Sequence, residues 1–149
     1  MFIYGKAIFS YNMETGRLRR YKDKIDLIIQ RTSEFKDWSW DFFKEAKSKL
    51  ACYKAFQEIA ESVFDIAAMA VKDAGQMPTD DYGNADRLVS LKIIDTNLKQ
   101  ALNEANGLRN RIVHEYNGLQ DKRALGSIEA ILPQVKVFVD KVQEWVKTK

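Results

Sequence analysis

The stretch LACYKAFQEIAESVFDIAAMAV, residues 50–71, decides the fold. Leu50, Tyr53, Phe56, Ile59, Ala60, Val63, Phe64, Ile66 and Ala67 recur at steps of three and four, which stacks side chains along one broad side of an α-helix. The pattern predicts a helix from about Lys44 to Ala74, apolar enough to be the central core element. Gly75 is suited to end it, and QMPTDDYGN (residues 76–84) clusters Pro, Asp, Gly and Asn in a way that reads as the main loop. Asp80 and Asp81 there read as solvated turn formers rather than metal ligands.

Working outward, Leu18, Tyr21, Ile25, Ile28 and Ile29 give an amphipathic helix from about Thr15. The aromatic, β-branched residues Met1 to Asn12 read as a short strand or, better, an arm that packs on the body or on a partner, so residues 1–14 are set apart as an N-terminal arm. Between Phe35 and Phe43, the aromatics Trp38, Trp40, Phe42 and Phe43 either continue the first helix or follow a break near Asp37. They could stack on bases of single-stranded RNA, but an aromatic cluster is more often core or interface. On the C-terminal side a short helix is predicted from about Ala85 to Leu91. A longer one runs from about Asp95 to Tyr116, and a last one from about Lys122 to Val146 that Pro133 should kink or split. The expected architecture is all-α, an up-and-down bundle of four to five helices.

With 149 residues, 46% hydrophobic and 30% charged, the chain suits one domain, residues 1–149. A net charge of +3 from 24 basic and 21 acidic residues is compatible with an anionic partner without demanding one. Cys52, the single cysteine, excludes an internal disulfide and reads as a small core residue. No signal segment is visible, and the longest apolar run, Ile66 to Val71, is far short of a membrane span, so a cytoplasmic protein without membrane association is expected.

Function concentrates in RNRIVHEY, residues 109–116, which places a guanidinium, an amide, the only histidine and a phenol within one segment. Arginine holds phosphate with a permanent forked cation, and histidine exchanges its proton near neutral pH. Leu98, Leu102, Ala105, Ile112 and Val113 define the apolar face of the surrounding helix, and Arg109 and Tyr116 fall near its middle. A permanent charge in such a stripe must be paired or must border a cleft, so Arg109 is the residue that packing alone explains worst. Asn110 and His114, four apart, share a stripe that would let the amide orient the imidazole. Arg111 and Glu115 share another and could form a surface ion pair. Arg109 and His114 diverge by about 140 degrees on a regular helix. Either the helix distorts near Gly107, or the arginine side chain sweeps round, or one site combines residues of two protomers.

These residues resemble the signature of the HEPN ribonucleases, specifically the HepT-like toxins, in which Arg and His are separated by four residues and a Tyr follows two after the His. Arg109, His114 and Tyr116 fit that spacing, and Asn110 fits the polar residue directly after the Arg. The resemblance covers roughly Leu18 to Trp145, with its specificity in residues 107–118. It implies a HEPN-like homodimer with the cleft at its interface, acting as the endoribonuclease toxin of a toxin–antitoxin pair. His114 would exchange a proton while the RNA 2′-hydroxyl attacks phosphorus, with Asn110 orienting it and Arg109 stabilising the charge on the phosphoryl oxygens. Arg111 is a candidate phosphate contact. No cofactor and no metal are expected, since one His and one Cys make a poor zinc site. The resemblance also implies that a nucleotidyltransferase antitoxin attaches AMP to Tyr116. The rival expectation is a non-catalytic helical module that binds a nucleotide or pairs with a nucleotidyltransferase.

Overall fold

Apolar spacing becomes helix along nearly the whole chain. The computed structural model describes residues 2–35 and 39–149, with side chains from residue 15 onward. Among the described residues there are six α-helices and no strand: α1 Phe2–Glu34, α2 Trp40–Phe43, α3 Ala46–Asp73, α4 Asp81–Ser90, α5 Thr96–His114 and α6 Asp121–Lys147, with a 3₁₀ turn at Tyr116–Gly118 between the last two. The all-α expectation holds, and α3 is its centre, packing against every other helix.

Tyr53, Phe56, Ile59, Val63, Ile66 and Ala67 of α3 are buried as the spacing predicts. Leu50 is not. It lies in register with Lys54, Glu58, Glu61 and Asp65, the outward stripe of α3, and is exposed. On α1, Tyr21, Ile25 and Ile28 enter the core, whereas Leu18 and Ile29 are exposed. Residues 2–14 depart from the expected strand or extended arm, because the backbone is helical from Phe2, and Met1 lies outside the described residues. No proline stands between Phe2 and Glu34, so helix propagated from the amphipathic part meets only the modest cost of Gly5 and Gly16.

After α1 the chain breaks before Trp40. Ser39 starts α2 by accepting a hydrogen bond from the Phe42 N–H, and Phe43 is fully buried. Trp40 packs against the core as well, which favours the core reading of this cluster; Trp38 lies outside the described residues. Gly75 ends α3 as predicted, with φ +87°. Its N–H bonds the Lys72 carbonyl at 2.9 Å and the Gln76 N–H bonds the Val71 carbonyl at 3.0 Å, the paired bonds of a Schellman stop.

The predicted main loop is shorter than expected, because α4 begins at Asp81 rather than near Ala85. Asp80 is its N-cap and accepts from the Gly83 N–H at 2.7 Å. Buried Asn84 accepts from the Thr79 N–H at 2.8 Å and donates to the Thr79 carbonyl at 3.2 Å. Residues that break one helix here start the next. Asp95 caps α5 in the same way, accepting from the Leu98 N–H at 2.8 Å.

Helix α6 runs unbroken through Pro133, which the sequence reading expected to kink or split it. Pro133 is exposed, and so is Glu129, whose carbonyl loses its intrahelical partner there. Water can satisfy that carbonyl on the outer face, so the helix continues.

Candidate active site

Arg109 projects from α5 toward the first turn of α4. Its Nη2 donates to Asp81 Oδ2 at 2.8 Å and to Asn106 Oδ1 at 2.9 Å. The pairing answers the demand of a permanent charge on a mostly apolar face, where only 22% of the side chain remains exposed. Asn106, one turn before Arg109, is itself buried. The Arg109 Nε is buried without a hydrogen-bond partner, and among the described residues Nη1 is not engaged either. The guanidinium is thus tied down through one nitrogen, Nη2.

His114 is the last residue of α5 and is exposed. The helix is continuous from Thr96 to His114, so no distortion at Gly107 brings Arg109 and His114 together, and the roughly 140-degree divergence stands. The Arg109 side chain goes to α4 rather than sweeping round to the histidine. Among the described residues, Asn110 and His114 make no side-chain hydrogen bond, so the expected orientation of the imidazole is not formed within this chain. Val113, expected on the apolar face, is exposed. Arg111 is exposed and does not pair with Glu115, which leaves helical geometry at φ −133° and ψ 35°. One chain therefore presents an anchored arginine and, separately, an outward polar strip of Asn110, His114 and Arg111.

Tyr116 lies beyond the end of α5, in the 3₁₀ turn, and so does not share the helical stripe of Arg109. Its ring meets Tyr53 edge-on, with centroids 5.5 Å apart, and Lys49 Nζ sits 5.7 Å from its centroid. Beneath it, Tyr53 donates its hydroxyl to Asp121 Oδ1 at 2.8 Å, and Lys49 Nζ donates to Asp121 Oδ2 at 3.2 Å. Burial, and then the bond to the Asp121 carboxylate, hold the Tyr53 phenol well above the usual range. The aromatic chain continues from Tyr53 to Phe43 at 5.2 Å and from Phe43 to Trp40 at 6.0 Å. The α2 cluster thereby supports the end of the motif.

Next to the outward strip, a groove of about 650 Å³ opens between α5 and α6, bordered by Arg111, Arg123, Glu104 and Glu115. Asp81, Asn106, Lys49 and Arg123 were not singled out from sequence as site residues. Asn106 is three before Arg109 on one helix and was findable from spacing. Asp81 is 28 residues away, and no local pattern announces the contact. Among the described residues no group of three or more His, Cys, Asp or Glu side chains could hold a metal ion, and no helix is long and apolar enough to cross a membrane.

The motif therefore holds a cation fixed through Nη2, an exposed imidazole, and a phenol held by its ring with no partner on its hydroxyl among the described residues. A family model described as "Ribonuclease HepT-like" matches residues 21–142. A protein of Archaeoglobus fulgidus named "Putative RNase" is 34% identical over 131 residues, 86% of this chain and 94% of that one. Among solved structures, the cytosolic protein of unknown function YutE from Bacillus subtilis aligns with a TM-score of 0.79 at 14% identity, covering 87% of this chain and 90% of that one. A tri-AMPylated HEPN toxin of Shewanella oneidensis in complex with MNT antitoxin aligns with a TM-score of 0.67 at 20% identity, covering 88% and 96%. At such identities these two structures speak for a common fold.

Proposed function

The chain belongs to the HepT-like ribonuclease family, and from that premise we propose that it is a metal-independent endoribonuclease, the toxin of a HEPN/nucleotidyltransferase toxin–antitoxin system. The observation that carries the reading is the state of Arg109: Nη2 fixed by Asp81 and Asn106, Nη1 not engaged among the described residues, in the same motif as an exposed His114. A cation held ready for negative charge that develops on a phosphoryl group needs no reorganisation when the reaction occurs. The whole of residues 1–149 acts in this reading as one HEPN-like domain.

In the proposed reaction the 2′-hydroxyl of one nucleotide loses its proton and attacks the adjacent phosphorus. The bond from phosphorus to the 5′-oxygen breaks, that oxygen takes up a proton, and a 2′,3′-cyclic phosphate remains on the upstream fragment. His114 exchanges the proton, Arg109 Nη1 takes the phosphoryl oxygens, and Arg111 contacts a backbone phosphate. Because Arg109 and His114 diverge on one straight helix, the site is composite: Arg109 of one protomer works with His114 and Asn110 of a second copy across a two-fold axis. An RNA with a single 2′-deoxynucleotide at the cut position tests the chemistry. It should resist cleavage there, while the all-ribose strand yields a cyclic phosphate end; equal cutting of both would refute attack by the 2′-hydroxyl. Heterodimers of Arg109→Ala and His114→Ala protomers test the composite site, because one of their two sites is intact and activity should return on mixing.

Tyr116 is the proposed acceptor of AMP from a nucleotidyltransferase antitoxin. Its position in the turn and its unengaged hydroxyl support this, as does the AMPylated state of the Shewanella oneidensis toxin. Phosphate added there would repel RNA by charge and obstruct it by size. Co-production with an MNT-type antitoxin, followed by intact-mass measurement, should show AMP-sized increments that Tyr116→Phe abolishes.

A further inference from the structure

Asp81 stands outside the motif, on another helix, yet it makes the shortest polar contact of the motif arginine. We infer that Asp81 is a positioning residue for Arg109: with Asn106 it sets the plane of the guanidinium so that Nη1 faces the phosphate. The inference rests on the ribonuclease reading above and adds to it the first turn of α4.

Two acceptors from two helices converge on one nitrogen, Asp81 Oδ2 at 2.8 Å and Asn106 Oδ1 at 2.9 Å. That is the arrangement that fixes a long side chain, because one contact allows rotation and two from different directions do not. The Nε N–H is meanwhile buried without a partner, so this orientation is held at the expense of another donor. The support under Asp81 is built to stay in place. Asp80 caps the helix through the Gly83 N–H, and buried Asn84 ties both polar backbone groups of Thr79. A Cβ at Gly83 would crowd Thr79 Oγ1 and lie 2.8 Å from Asp80 Oδ1, so a larger residue there would have to displace the capping side chain. In the first turn of a helix the carboxylate charge is also favoured by the backbone dipoles.

The test is a kinetic cycle on a labelled oligoribonucleotide with wild type, Asp81→Ala, Asp81→Asn, Arg109→Ala and the double variant, each confirmed as folded by its melting temperature. Loss of orientation should lower kcat roughly 10- to 100-fold in Asp81→Ala while KM stays within about twofold, the scale of effect expected when a catalytic group is misplaced. Asp81→Asn keeps an acceptor oxygen and should recover most of the rate. In the Arg109→Ala background, Asp81→Ala should do nothing more. A wild-type or faster kcat in Asp81→Ala overturns the inference, and so does an equal further loss in the Arg109→Ala background, which would mark a purely structural role. If instead wild type and Arg109→Ala behave alike, the ribonuclease reading itself fails. The Arg109 Nε–H resonance then tests positioning without activity: it should be sharp in wild type and broadened in Asp81→Ala, and an unchanged resonance rejects the inference.

Discussion

The ring of Tyr116 stands edge-on to that of Tyr53, with planes at 87°, so the end of the motif is fastened to the central helix by an aromatic contact rather than a hydrogen bond. Tyr53 is buried and ties α3 to the start of α6 through Asp121. Tyr53→Phe keeps the ring stack and loses that bond, an expected cost of about 1 kcal/mol because Lys49 still serves Asp121. Tyr53→Ala also leaves a cavity and should cost about 3–5 kcal/mol. Urea unfolding of both variants checks the ordering, and equal losses would contradict it.

Stability should fall at alkaline pH. Burial pushes the Cys52 thiol from 9.0 up to about 12. Burial, followed by donation to a carboxylate, pushes the phenols of Tyr21 and Tyr53 well above their ordinary 10.0, through Asp73 and Asp121 respectively. Each group keeps its proton longer in the folded chain than in the unfolded one, so its contribution is whole below the unfolded value and shrinks as pH climbs from there toward the folded one. Melting temperatures should therefore hold steady between about pH 7 and 8.5 and drop from about pH 9 upward. The Tyr21→Phe, Tyr53→Phe double variant should drop less steeply, and a flat profile to about pH 11 would contradict the account.

Gly83→Ala should damage the site from a distance. The new methyl meets Thr79 Oγ1 and the capping Asp80 Oδ1, so these side chains must give way and the cap next to Asp81 is disturbed. An expected loss of about 1–3 kcal/mol in stability should come with slower RNA cleavage. Asp80→Ala removes the cap alone and should cost about 1 kcal/mol. Thermal melts alongside a cleavage assay separate the two effects.

Pro133→Ala should stabilise the protein. It restores the hydrogen bond to the Glu129 carbonyl within a helix that is already continuous, and the site is exposed, so no packing is lost. After allowing for the greater freedom that Ala gives the unfolded chain, a gain of about 1–2 kcal/mol is expected by chemical denaturation. A loss would show that the proline has a packing role.

What sequence disclosed and what it hid follow a physical line. Local periodicity made α3 legible, and the Gly75 stop as well, because both depend on residues within one or two turns. Asp80 and Asp81 were misread since a cap and a turn former use the same residue types, and only the chain that follows decides between them. Arg109 was recognised as needing a partner, but its charged partner, Asp81, comes from another helix. Tyr116 was placed on the stripe of Arg109 because nothing in the local sequence shows that α5 ends at His114.

The most direct measurement is cleavage of a labelled RNA in EDTA by wild type, His114→Ala and Arg109→Ala, all shown to be folded and in the same oligomeric state. The account predicts that wild type cuts and that each variant loses at least about a hundredfold in rate, the scale for removing a proton-transfer or charge-stabilising group. Equal cutting by all three proteins, or no cutting by wild type at any concentration, would contradict it.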